Sequence, residues 1–229
     1  MRTLGLIGGM SWQSSRLYYD RINSRVAERL GPEHSAALIL YSLDFAPIAR
    51  MQAEGRWREA GACLASAAQG LERAGADVIA ICANTMHKLA EEVRASVSIP
   101  LLHIGDALGA RLRREGRTRP LLLGTRYTME DTFLSGHLVR DGVVTITPDP
   151  EQRSRLHAII YEELIRGVVR PESRAELQMM IARAAERAAD SVILGCTELG
   201  MLLGPGEAGL PAYDTLEIHA EALVDAALS

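Results

Sequence analysis

Short apolar runs bounded by glycine, asparagine or threonine alternate along this chain with longer stretches whose apolar residues recur at helical spacing. That alternation predicts a parallel α/β architecture. The runs at 3–7, 37–42, 78–81, 101–103, 120–123, 143–147, 191–194 and 212–214 are expected to be strands. Between them, residues 57–74 place Ala60, Cys63, Leu64, Ala67 and Leu71 on one helical face, which makes Cys63 an expected core residue. Residues 154–167 turn Leu156, Ile159, Ile160 and Leu164 inward and stop at Gly167, a residue suited to a C-terminal cap. Further helices are expected at 171–189 and 216–228, the last packing back onto the first half of the chain.

The pattern also repeats. Ala76-Asp77-Val78-Ile79-Ala80-Ile81-Cys82-Ala83-Asn84-Thr85 aligns without a gap on Ala189-Asp190-Ser191-Val192-Ile193-Leu194-Gly195-Cys196-Thr197-Glu198 at an offset of 113. Ala83 falls opposite Cys196 in that register. Leu4-Gly5-Leu6-Ile7-Gly8-Gly9 pairs with Pro120-Leu121-Leu122-Leu123-Gly124-Thr125, and the segment from Ile99 to Asp106 resembles that from Leu210 to Asp214. Similar segments in one order predict two similar α/β halves, 1–98 plus 208–229 and 99–207, facing each other across a shared cleft.

Composition narrows the function. The 229 residues carry a formal charge of −4, and the arginines are interspersed with acids, so no field for nucleic acid is expected. No apolar run is long enough to cross a bilayer, and the N-terminus leads straight into a strand pattern, which makes the cytoplasm the expected compartment. Three cysteines, Cys63, Cys82 and Cys196, are too few for a disulfide framework or a zinc cluster and are read as thiols. Lys88 is the only lysine, and its place a few residues into a helix suits a pyridoxal phosphate Schiff base poorly. His87, His103 and His219 lack metal-ligand spacing, so neither cofactor nor metal is expected.

In parallel α/β sheets ligands bind beyond the carboxyl ends of strands. Those ends are Gly8-Gly9-Met10-Ser11, Ala83-Asn84-Thr85, Gly124-Thr125 and Cys196-Thr197-Glu198. Small residues admit a ligand to the backbone, and hydroxyls, an amide and free N–H groups can cradle a carboxylate. A thiol at a helix start is expected to have its pKa lowered by the dipole. Taken singly, Gly8-Gly9 reads as a tight turn, Asn84-Thr85 as a helix cap, and Cys196 as a small core residue. The match of Cys196 with the other half's strand end favours a site.

These segments resemble the aspartate/glutamate racemase family, on Ile7-Gly8-Gly9-Met10-Ser11-Trp12, Asn84-Thr85-Met86-His87, Leu122-Leu123-Gly124-Thr125 and Gly195-Cys196-Thr197-Glu198. The resemblance implies two α/β domains related by a pseudo-twofold and a cofactor-independent inversion of an amino-acid α-carbon. It implies Cys196 as an acid/base group, Asn84, Thr85 and Thr197 as holders of the α-carboxylate, and Gln52 as a further substrate contact, to which Met10, Ser11, Thr125 and Glu198 are added by their strand ends. A small amino acid, acidic ones foremost, is the implied substrate, and a homodimer is compatible with it. Family members place a cysteine directly before Asn-Thr, where this chain has Ala83, so the first catalytic position is vacant. Cys82 is adjacent, but neighbouring strand residues point to opposite faces, which assigns it to the sheet packing. Arg50 could reach a distal carboxylate, though a solvated arginine is the plainer reading. With one thiol the chain could also be a decarboxylase or cis-trans isomerase of the same superfamily, or an amino-acid binder that has lost its chemistry.

Overall fold

The computed structural model describes every residue except Pro205. Its contacts divide the chain into two units, Met1–His103 with His219–Ser229 and Ile104–Ile218. The first unit is built from β1 (Leu4–Gly8), α1 (Trp12–Leu30), β2 (Leu38–Ser42), α2 (Phe45–Ala53), α3 (Trp57–Arg73), β3 (Val78–Ile81) and α4 (Ala90–Ser96). The second contains α5 (Ile104–Arg114), β4 (Pro120–Leu123), α6 (Arg126–Glu130), α7 (Thr132–Arg140), α8 (Pro150–Ala158), α9 (Pro171–Glu186), β5 (Ser191–Leu194) and β6 (Ala212–Asp214). Helix α10 (Thr215–Leu228) starts in the second unit and ends in the first.

Each unit repeats one topology. The first sheet runs β2-β1-β3, all parallel, and Leu101 extends it by a bridge to Ile79. The second runs β4-β5-β6, also parallel, and Ile146 bridges Leu121 on the far side of β4. In both, the strand met first lies between the second and the third, with the fourth outside the third. The direction in which successive strands are added to the sheet therefore reverses between β1 and β3 and between β4 and β5, and such a switch point is where α/β sheets open a crevice at the strands' carboxyl ends. All four candidate ends lie at these two places.

The pairing corrects the boundaries drawn from the repeat. Leu101 bonds to β3, and β6 bonds to β5, so the chain divides at 103/104 and 218/219 rather than 98/99 and 207/208. The expected strands at 101–103 and 143–147 are reduced to single bridges, at Leu101 and Ile146.

Side chains alternate across each sheet because strand period is two. In the second unit Leu121, Leu123, Val192 and Leu194 pack with Leu156, Ile159 and Leu177. The intervening Leu122, Ile193 and Tyr213 pack instead with Leu108, Leu134 and Leu138. In the first unit Ile7, Ile79, Ile81 and Ala83 share a cluster with Leu64, Ala67 and Leu71 of α3. Cys63 flanks that cluster half-buried instead of lying within it, because Ala60, Gly61, Leu64 and Ala68 take the inward stripe. Apolar burial of this kind contributes about 1.5–3 kcal/mol for each fully covered leucine or isoleucine.

Candidate active site

In the second unit β5 delivers Cys196. Gly195 precedes it with its N–H bonded to the Leu123 carbonyl at 2.7 Å, and a Cβ there would lie 2.7 Å from that same oxygen. Only glycine lets the strand end approach so closely. Cys196 is extended and opens the 3₁₀ turn Thr197–Met201, whose Leu199 N–H bonds to the Cys196 carbonyl at 3.0 Å. Its Sγ donates to Glu198 Oε2 at 3.0 Å, and Thr197 Oγ1 donates to the same oxygen at 2.6 Å. Burial, and next the Glu198 charge and hydrogen bond, push the Cys196 thiol well above its ordinary range. The expected lowering by a helix dipole is thus reversed: the turn is too short to supply a strong dipole, and desolvation beside a carboxylate outweighs it. Both effects favour the protonated thiol.

Tyr161 lies near enough to this pair to feel its charge, and Thr125 follows β4, the strand beside β5. Thr125 caps α6 by accepting the Thr128 N–H at 3.2 Å, as its place after β4 requires. Tyr161 lies on the π-helical turn Ile159–Glu163 that interrupts the expected 154–167 helix before Gly167 ends it in the left-handed region, at φ 75°. Its ring is 4.5 Å from that of His157 and packs against the apolar cluster that contains Cys196. Burial first, then Tyr127, Cys196 and Glu198, raise its phenol, so it stays protonated. No periodicity in the sequence marks Tyr161; the π turn, a common feature of functional sites, does.

In the first unit the two strand ends are equally built. Gly9, at φ 86°, turns the chain after β1, and a Cβ there would meet the Leu43 carbonyl at 2.0 Å. Ser15 Oγ accepts the Gly9 N–H at 2.8 Å, and Ser11 caps α1 by accepting the Ser14 N–H at 3.3 Å. Met10 and Ala83 join one apolar cluster with Met86, and the Gln52 amide rests on Met86 Sδ at 2.8 Å. Asn84 and Thr85 are buried and begin the 3₁₀ turn Thr85–Leu89, which the His87 N–H closes onto the Asn84 carbonyl at 3.0 Å. Ala83 and Cys196 are each 9% exposed, and each continues the side-chain face of its strand that packs on the long helices. Cys82 is fully buried and burial alone pushes its thiol up.

Residues 7–223 match the family described as Asp/Glu/hydantoin racemase. The chain belongs to this family. It is 45% identical to a candidate Asp/Glu racemase from Yersinia pestis, each chain covered in full, with a TM-score of 0.94. An aspartate racemase homologue from Pyrococcus horikoshii OT3 is 31% identical, again over the whole of both chains, with a TM-score of 0.86. The broad specificity amino-acid racemase RacX of Bacillus subtilis is 25% identical over 162 residues, 69% of this chain and 68% of RacX.

Within this racemase-family fold, Glu198 accepts from Cys196 and Thr197, and one expectation changes. The histidines, expected to be scattered, gather: the His87 ring lies 4.6 Å from His103 and 5.6 Å from His219. Both nitrogens of His219 are bonded, to Tyr18 and Leu102, and His87 Nδ1 bonds to Ala83. Lys88 lies over the Trp57 ring at 4.5 Å, and Arg50 is exposed.

Proposed function

We propose that this protein is a cofactor-independent amino-acid racemase, acting on aspartate, glutamate or a similarly small amino acid, in which Cys196 is the single thiol that moves the α-proton. The observation that carries this reading is the Cys196–Glu198–Thr197 arrangement at the end of β5, where a buried thiol donates to a carboxylate oxygen held by a second donor. To remove a proton, the thiol first passes its own to Glu198; the thiolate then takes the α-hydrogen, so that the pair ends holding two protons instead of one. Return of a proton from Cys196 to the same face restores the starting enantiomer; inversion instead takes its proton from a water on the other face, the hydroxide left behind takes back the pair's extra proton, and this is the slower event. Asn84 and Thr85 meet the α-carboxylate, whose charge otherwise opposes carbanion formation, and the Thr197 hydroxyl joins them once Glu198 is protonated and releases it. Met10, Ser11, Gln52 and Thr125 are further substrate contacts in this reading, and Ala83 stands where the family carries its first acid/base group without being able to serve as one.

Ala83 is also the observation that keeps a second reading in view, a one-thiol decarboxylase or isomerase that delivers a proton to one face of an enolate. Proton NMR in deuterated water over a panel of L- and D-amino acids separates them. The racemase reading expects loss of the α-proton signal for at least one amino acid with the wild-type chain, and none with Cys196→Ala. An unchanged rate in Cys196→Ala, or no exchange with any member of the panel, rejects it.

A further inference from the structure

Four polar aromatic side chains meet in the interior of the first unit, and the proposed chemistry uses none of them. Tyr18 of α1, His87 of the turn after β3, His103 after the Leu101 bridge, and His219 of α10 are all essentially excluded from solvent. Carbonyl oxygens only accept hydrogen bonds, so the partners fix the tautomers. His219 Nε2 faces the Leu102 carbonyl at 3.0 Å and must carry the proton; its Nδ1 therefore accepts from Tyr18 Oη at 2.8 Å. His87 Nδ1 faces the Ala83 carbonyl at 2.9 Å, so there the proton sits on Nδ1. The two rings are opposite tautomers, edge to face. One secures the segment carrying Leu102, the other the residue directly before Asn84 and Thr85.

We propose that His87 is a positioning residue: through its Nδ1–H bond to the Ala83 carbonyl it fixes the turn that presents Asn84 and Thr85 to the substrate carboxylate, and so sets substrate affinity. A buried carbonyl at a strand end has no ladder partner, and a side-chain donor four residues on both satisfies it and locks the turn's direction. His103 and His219 pack against the ring edge to face and hold it in that orientation. Burial, and after it the neighbouring His103 and His219, keep His87 uncharged.

The affinity part rests on the racemase reading; the hold on the turn does not, and the experiment separates them. Long-range proton–nitrogen NMR of the full chain is expected to show His87 protonated on Nδ1 and His219 on Nε2. His87 protonated on Nε2 alone overturns the proposal without recourse to any variant. His87→Asn offers an amide N–H near the place of Nδ1, whereas His87→Leu keeps apolar bulk and removes the donor. Loss of one such bond predicts that hydrogen exchange of residues 83–89 quickens about tenfold in His87→Leu and stays near wild type in His87→Asn. KM for the exchanging amino acid should rise about tenfold in His87→Leu with little change in kcat, and recover in His87→Asn. Unchanged protection in His87→Leu, or lost protection with KM unmoved, overturns the proposal. A wild-type chain that exchanges no α-hydrogen refutes the racemase reading and with it the affinity role, while the tautomer and hydrogen-exchange results still decide the hold.

Discussion

Lowering the pH from 7 to 5 is expected to destabilise the protein by about 2 kcal/mol through His219 alone. Burial lowers the folded-state pKa of this histidine from 6.5 to about 4. An unfolded chain therefore takes up the proton first, and stability that is complete above pH 6.5 is lost as the pH falls towards the folded value. Each pH unit in that window costs about 1.4 kcal/mol per histidine, so the integrated loss is about 2 kcal/mol at pH 5 and about 3 kcal/mol at pH 4. His87 is shifted in the same direction by burial and by its two neighbours, and adds to the loss. The perturbation is His219→Gln, which can keep a donor towards the Leu102 carbonyl and does not titrate. Urea unfolding followed by circular dichroism at pH 7 and pH 5 reads the difference, and the variant's pH-dependent loss should be smaller than wild type's by about 2 kcal/mol. An equal loss in both proteins would refute the argument, since His219 would then titrate alike folded and unfolded.

Other outcomes follow from the same geometry. In alkylation mapped by peptide mass spectrometry, half-buried Cys63 should react before Cys82 and Cys196, whose thiols burial holds protonated; early labelling of Cys196 at neutral pH contradicts this. Glu198→Gln removes the charge that opposes the thiolate, so Cys196 should alkylate at lower pH, while α-hydrogen exchange falls by about 10²–10⁴ for want of a proton acceptor. Gly9→Ala forces a side chain into the Leu43 carbonyl at a positive φ and should lower the melting temperature by several degrees, roughly 1–3 kcal/mol; an unchanged melt would show that the turn relaxes freely. Activity should survive dialysis against a chelator and a carbonyl reagent, and loss under either would reject the cofactor-independent mechanism.

Strands flanked on both sides by neighbours were legible, and so was the edge strand at 212–214. The runs at 78–81, 120–123 and 191–194 form strands of those bounds because burial on both faces leaves a continuous apolar run with polar or glycine ends. The run at 143–147 has a partner only in β4, and it narrows to the Ile146 bridge. The equivalence of Ala83 and Cys196 could be read from the repeat because both continue the same parity of their strands. Distances through space could not be read. His87 and His103 meet through the pairing of Ile79 with Leu101, and His219 joins them from α10, far along the chain. The direction of the Cys196 shift follows first from its burial and next from where the Glu198 side chain turns, neither of which spacing reports. Tyr161 lies outside the inward stripe at α-helical period, and a π turn leaves no mark in that period.

The central claim, that one thiol moves the proton and the position of Ala83 contributes none, is tested most directly by measuring exchange and inversion in one tube. Deuterium entry at the α-carbon is followed by NMR while chiral chromatography counts the enantiomers. For the wild-type chain, exchange of one enantiomer should outrun its inversion by about a hundredfold, the usual worth of a positioned acid/base group, and Ala83→Cys should narrow that gap. Inversion that keeps pace with exchange in the wild-type chain, and does so equally in Cys82→Ser, would contradict the account.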